Sequence, residues 1–502
     1  MNWQARMVVG AFALAGFAGT ARADDTTVHG DLAVLEQRLA AQERKIKELE
    51  GTSFTQDEMT ASVDRYLRVA PTNVLVGGGG DGSAGFPLGK KPFIKEGPNK
   101  LEIAFRNQVR YSAFLYSKDA IGTSTAAGNP LNGGAPVDRM GFENERMYIG
   151  FDGSVFCEEI TFKLELNFDS DSAAGVEKNY MWLDWKYTGE HHIRAGSDKV
   201  AYCMEENTSS SSLAFVDRCI VTKAFEQSFT NGVALWGYLG DACDCPKRFM
   251  YKVQVGNGEG RENKSGSVFN TDAFGTFSDN LEYAGMFEWN ITCNEWKWDE
   301  VDHRPCDKRC DLNASLGIAA TYEKDDDLKH DGYGGLALRS SGRIDRTNYD
   351  AWFRAQWNGW SLEVEWMQRE LDYVKTTANL PSTAATQTDS GAQATLHYRF
   401  AETNWGVGVR YGIIWLDSDY KSLTTGPAAG LQTVAIKDQI TEYGFVVNYF
   451  FYDHNNKISA DVNWVSDNSG VSTSSAGYLQ GASKGVLVED GVYLRLQWQI
   501  SF

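Results

Sequence analysis

From about residue 100 to Phe502 the chain alternates apolar and polar residues with a period of two. Val492, Leu494, Leu496, Trp498, Ile500 and Phe502 share one face, and Tyr493, Arg495, Gln497, Gln499 and Ser501 share the other. Leu101, Ile103, Phe105, Val109 and Tyr111 oppose Glu102, Arg106, Gln108 and Arg110 in the same way, and Val407, Val409, Tyr411, Ile413 and Trp415 oppose Gly408, Arg410 and Gly412. A period of two is a β-strand. A face that carries charge cannot line a dry core, so each strand divides water from something apolar. Soluble sandwiches and membrane barrels both meet that condition. Segments of about 9–14 residues, Trp and Tyr near their ends, and an aromatic last residue select the barrel. The mean hydropathy of −0.39 is then the average of two unlike faces. Beyond the N-terminus no run of about 20 apolar residues exists, which excludes a polytopic helical membrane protein. A formal net charge of −19 argues against a nucleic-acid partner.

The alternating segments number sixteen, centred near 108, 147, 163, 183, 194, 236, 251, 286, 317, 353, 365, 396, 411, 445, 461 and 496. With the N-terminus periplasmic, odd-numbered connections are expected to be long and external, and even-numbered ones short. The long ones run near 118–140, 170–177, 198–230, 257–280, 324–347, 372–389, 419–437 and 467–488; short turns lie near 154, 189, 243, 358, 402 and 454. Strict long and short alternation is an outer-membrane barrel trait. Residues 292–311 break it with a long connection on the periplasmic side. The expected fold is all-β: a 16-stranded antiparallel transmembrane barrel over 100–502.

The N-terminus reads as a secretory signal peptide over 1–23, with Arg6, an apolar run from Met7 to Ala18 and a cleavage site at Ala21-Arg22-Ala23. Residues 24–50 hold a short coiled coil, since Leu32, Leu35, Leu39, Gln42, Ile46 and Leu49 form an a/d seam. Residues 51–99 read as a helix, opened by a capping box of Thr55 and Glu58, then a Gly-rich linker. The expected location is the outer membrane of a diderm bacterium, with the coil in the periplasm.

Export permits disulfides. Cys157, Cys243, Cys245, Cys293, Cys306 and Cys310 fall at the periplasmic rim, while Cys203 and Cys219 share the third external connection. The expectation is one bridge inside that connection and up to three at the rim. Zinc at Cys243-x-Cys245 or Cys306-x3-Cys310 is the weaker alternative, because no histidine pair has finger spacing.

A stretch in the fifth strand and the connection after it carries a family resemblance. It comprises Ile193-Arg194-Ala195-Gly196-Ser197-Asp198-Lys199, Glu205-Glu206-Asn207-Thr208-Ser209-Ser210, Leu213 to Arg218, and Lys223-Ala224-Phe225. It resembles the phosphate-selective porin O and P family over about residues 140–260, and by pattern to Phe502. The resemblance implies a homotrimer of sixteen-stranded barrels, with the third loop folded inward as the constriction. Some relatives carry a periplasmic coiled coil. Phosphate-selecting members have adjacent arginines in the stretch matching Phe142 to Ile149; only Arg146 corresponds here.

The expected function is a water-filled porin for passive diffusion of small hydrophilic solutes and ions, with an anion or phosphate preference left open. The rival is a structural barrel anchoring the envelope through its coil. Candidate pore residues are Arg106, Arg110 and Arg146 on the first strands, and Lys199, Glu205, Glu206, Asp217, Arg218 and Lys223 on the third connection, where Asp217 reads best as an anchor. Inward acids such as Glu165, Asp184, Glu288, Glu365 and Glu442 are as numerous as the basics, and His397 also faces inward. Phe502 resembles the signal read by the barrel-assembly machinery. Outer-membrane lipid is the expected surround. No cofactor and no metal are expected, since the histidines form no ligand pattern. No nucleophile turn is present, so an enzyme is not expected.

Overall fold

The computed structural model describes residues 82–85, 91–116, 139–168, 176–241, 245–257, 281–293, 299–303, 311–325, 343–374, 386–401, 403–415, 439–467 and 491–502. The signal peptide, the coiled coil and the capping-box helix lie outside them, as do Cys243, Cys306 and Cys310. Two short strands come first, β1 (Gly82–Gly85) and β2 (Phe93–Glu96). Then follow β3 (Asn99–Tyr116), β4 (Arg139–Val155), β5 (Cys157–Asn167), β6 (Glu177–Thr188), β7 (His191–Lys199), β8 (Phe229–Asp241), β9 (Cys245–Gly256) and β10 (Glu282–Asn290). The second half holds β11 (Asn313–Asp325), β12 (Arg343–Trp357), β13 (Trp360–Val374), β14 (Thr386–Arg399), β15 (Trp405–Trp415), β16 (Gln439–Tyr452), β17 (Asn456–Asp467) and β18 (Gly491–Ser501). Helices α1 (Met204–Asn207) and α2 (Ile220–Phe225) lie between β7 and β8.

Each strand from β3 to β17 pairs antiparallel with the next, and β18 pairs back with β3 from Gly491↔Tyr116 to Ser501↔Arg106. Sixteen strands therefore close into a barrel, and closure removes every unpaired edge from the ring. Phe502 seals the seam by exchanging backbone hydrogen bonds with Phe105 at 3.0 and 3.1 Å. β1 and β2 correct the expectation of a linker up to residue 99. β1 pairs with β2, and β2 with β3, so the Gly-rich stretch ends in a hairpin carried on the first barrel strand.

The two faces are inverted relative to a soluble protein. In β15, Trp405, Val409, Tyr411 and Trp415 are exposed while Gly406, Gly408, Arg410, Gly412 and Ile414 are buried. A charged residue buried between exposed rings is the signature of a wall with lipid outside and protein or water inside. The turn Asn358-Gly359 joins β12 to β13 with φ of 56° and 83°. Two consecutive positive φ values give the tight hairpin twist that Asn-Gly favours, and exposed Trp357 and Trp360 flank it. One irregularity changes what the lumen sees. A bulge in β4 lets Gln108 face Arg146 and Val109 face Asn144, so Glu145 and Arg146 are both buried despite being consecutive.

Candidate functional site

Residues 200–228 are mostly buried, although they are a connection rather than a wall strand. Loops usually run over a surface because buried backbone groups need partners. Here the barrel supplies them. Neither Cys203 nor Cys219 caps its helix with a side chain. Glu365 of β13 instead accepts the N–H of Met204 at 2.5 Å, and Glu442 of β16 accepts that of Ile220 at 2.7 Å. A carboxylate at a helix N-terminus satisfies orphan donors and the local dipole together. Asp461 of β17 accepts the Val216 N–H at 3.1 Å. At the helix ends, Arg369 donates to the Ala224 carbonyl at 2.9 Å, and Arg218 to that of Glu206 at 3.1 Å. Apolar contacts complete the seat, with Tyr202, Met204, Val221 and Phe225 clustering with Met286, Trp352, Met367 and Ile414 of the wall.

The nine candidate residues meet at this segment. Asp217 is the hub. Its carboxylate lies 2.6 Å from Lys223, 3.2 Å from Arg146, 3.6 Å from Arg110 and 3.8 Å from Arg495. Burial alone would raise its pKa, but Lys223, Arg110, Arg146 and Arg495 outweigh it and hold the carboxyl well below the usual range. Glu206 pairs with Arg218 at 2.7 Å, and Lys199 donates to the Glu206 carbonyl. Glu205 accepts the Cys219 N–H at 3.1 Å and stands 3.8 Å from Arg410. Arg106 is half-buried, whereas Arg110 and Arg146 are buried. It donates to the Ser210 hydroxyl at 2.7 Å and has no carboxylate partner among the described residues.

The cysteines divide differently from the expectation. Cys245 and Cys293 are joined, linking β9 to the end of β10. That removes Cys245 as a zinc thiolate. Cys203 and Cys219 are free rather than bridged, and Cys157 is free as well. The reason is orientation. The Cys203 thiol faces the Thr222 hydroxyl at 4.0 Å, whereas the Cys219 sulfur lies against Gly412, where an added Cβ would stand 2.6 Å from it. Burial pushes both thiols well above their ordinary pKa, so both are unreactive.

The long connection between β10 and β11 also finds a place. Its Glu300 accepts the Ala214 N–H at 2.6 Å, and the Glu300 N–H donates to the Ser212 carbonyl at 3.0 Å. Val301 packs with Ala214, Phe215, Val446 and Phe450. Burial and nearby Glu205 push the Glu300 carboxyl up to about 8. The fold thus prefers this group protonated. Its contribution is complete below its ordinary value near 4.5, declines as pH rises towards 8, and is flat beyond. Glu300→Gln is expected to match the wild type near pH 4.5 and to be the more stable by about 1–3 kcal/mol at pH 9. Thermal unfolding across that range checks this; a constant difference at all pH values would refute it.

One grouping was invisible in the linear sequence. Asp299, His303 and His454 bring ligand atoms within 4.8 Å of one another, which corrects the reading that the histidines form no ligand set. The Lys457 Nζ lies 3.1 Å from His454 Nδ1 and so already engages one of that ring's two nitrogens.

A sequence model described as phosphate-selective porin O and P matches residues 131–385, just over half of the chain. The chain belongs to that family. It is accordingly an outer-membrane porin, a class of channel-forming barrels. Among solved structures the fold is similar to OmpT of Vibrio cholerae, at 10% identity over 82% of this chain and 100% of that one, TM-score 0.46. It is similar to OprB of Pseudomonas putida, at 13% identity over 80% and 94%, TM-score 0.47. It is also similar to an anion-selective porin from Comamonas acidovorans, at 11% identity over 80% and 100%, TM-score 0.46. No curated protein matches the sequence.

Proposed function

We propose that the chain is a general diffusion porin whose 200–228 connection is the inward-folded third loop and forms the constriction. The observation that carries this reading is the anchorage of that connection. Carboxylates of β13, β16 and β17 hold its backbone from the wall opposite the strands it joins, which draws it across the lumen. Small hydrophilic solutes and ions are the cargo. An anion or phosphate preference is the finer proposal. It draws support from the family description and from Arg106, a cation with no carboxylate neighbour among the described residues. The buried arginines around Asp217 speak against a strong preference, since acids already neutralise them.

The proposed organisation retains a signal peptide at 1–23, a periplasmic coiled coil at 24–50 and a homotrimeric assembly. Phe502 serves as the mark for the barrel-assembly machinery. Planar-bilayer recording of the purified protein tests the channel. Steady conductance in KCl is expected, and a folded, silent protein would favour the envelope-anchor role instead. Arg106→Ala is expected to lower the anion-to-cation permeability ratio by about twofold or more, read from reversal potentials in asymmetric KCl. An unchanged ratio would remove Arg106 from the selectivity determinants.

A further inference from the structure

Beside the helices of the connection, and apart from the Asp217 hub, the lumen wall and the connection line a half-open cavity of about 440 Å³. Two kinds of surface line it. One is apolar: Met204, Met286 and Trp352 belong to the cluster under the connection, and Met250 packs against it. The other is cationic: Lys163, Arg194, Lys199, Lys252 and Arg354 reach the cavity, against Asp198 and Glu288 alone among acids. The acids that balance the remaining cations, Glu165, Asp184 and Glu206, are at most 8% exposed and are absent from the lining.

Aromatic rings hold these cations in position. The Arg194 guanidinium lies 4.1 Å from the Trp182 ring centroid and 5.0 Å from that of Trp236, and the Lys163 ammonium lies 3.7 Å from that of Tyr180. Trp352 is seated flat against the wall, since a Cβ added at Gly317 would stand 2.1 Å from its ring. Two hydrogen-bond donors lack an acceptor. The indoles of Trp182 and Trp352 line the cavity, and neither N–H has a partner among the described residues. Trp352 is only 2% exposed. A buried indole N–H is normally matched.

Each of these cations has a paired acid, but Glu165, Asp184 and Glu206 are buried and set behind the lining, so the wall the cavity presents is mainly cationic and calls for an anionic ligand. Three thioethers and an indole call for an apolar body, and thioethers pack well on aromatic rings. An inorganic anion would leave most of the volume and all of the methionines facing water, whereas cavities of this size suit organic ligands. We propose that this cavity is a binding subsite for aromatic carboxylates. The proposal deepens the channel reading and rests on it only for the claim that the bound solute is in transit.

Benzoate, propionate and inorganic phosphate are the probes. Their binding to the full-length folded protein is measured in detergent by calorimetry, and their interruption of single-channel current is recorded in bilayers. Benzoate is expected to bind at least about tenfold more tightly than propionate or phosphate. Trp352→Phe replaces the indole by a smaller ring, and Met250→Ala shortens a thioether chain, so each removes apolar surface. Each is expected to weaken benzoate by about fivefold, the size of a partial apolar contact. Equal binding of the three probes, or unchanged benzoate affinity in both variants, would overturn the subsite. A protein that conducts KCl but does not bind benzoate overturns the subsite and leaves the channel intact. One that binds benzoate but does not conduct supports the subsite and overturns the channel.

Discussion

Asp217→Asn is expected to unseat the connection between β7 and β8 and to shift the channel towards anions. The substitution preserves shape and removes one charge. It leaves Lys223, Arg146, Arg110 and Arg495 within 3.8 Å of a neutral amide, all with little access to water. Breaking a buried ion pair by removing one partner costs about 3–5 kcal/mol, because the remaining charge is stranded. The cost here falls on the seat of the connection rather than on the barrel ladder, so the wall is expected to stay folded while 200–228 becomes open to protease. Reversal potentials in asymmetric KCl are expected to show a several-fold rise in relative anion permeability. A protected connection with unchanged selectivity would refute the hub assignment. Acid should not reproduce the effect at pH 4. The Asp217 carboxyl is held well below its usual range. A depressed pKa contributes stability that is present above the unfolded value near 3.9 and lost only as pH falls through the folded one.

Cys245→Ser is expected to lower the unfolding temperature of the barrel measurably. The bridge closes a segment with a sequence separation of 48 residues. Chain-entropy reasoning assigns such a loop about 4 kcal/mol, and the existing β9–β10 ladder reduces what the bridge adds, so a loss of about 2–4 kcal/mol is expected. Reductant applied to the wild type should bring it to the variant's value and should leave the variant unchanged. A variant as stable as the wild type would show that the ladder alone suffices.

The barrel was legible because a closed wall between lipid and lumen must repeat its two-faced pattern in every strand. All sixteen expected centres fall within β3 to β18, and Arg110, Arg410, Glu365 and Glu442 lie on the buried face the alternation assigned. Three features were not legible, for different reasons. The bulge at Glu145 and Arg146 adds a residue to one strand without changing composition, so strict alternation cannot place both side chains. The hairpin of β1 and β2 is short and Gly-rich, and its pairing with β3 outweighs poor strand propensity. The role of the inward acids depended on partners far away in sequence. Glu365 and Glu442 looked like lumen charges, yet they cap backbone amides more than 160 and 220 residues earlier. The same distance hid Asp299, His303 and His454. Cys203 and Cys219 are close enough in sequence to suggest a pair, yet their sulfurs meet different neighbours, Thr222 and Gly412.

Long-range contacts of this kind also tie the connection to the end of the chain. The Val216 amide is met by Asp461, the Leu213 carbonyl by Lys457, and the Asn448 amide closes on the Ala214 carbonyl, at separations of 245, 244 and 234 residues. The seat of the connection is therefore complete only when the last hairpins of the barrel are in place. Contacts this distant are slow to form because loop-closure entropy precedes any reward. The passage through the wall thus depends for its shape on the strands that shut the ring.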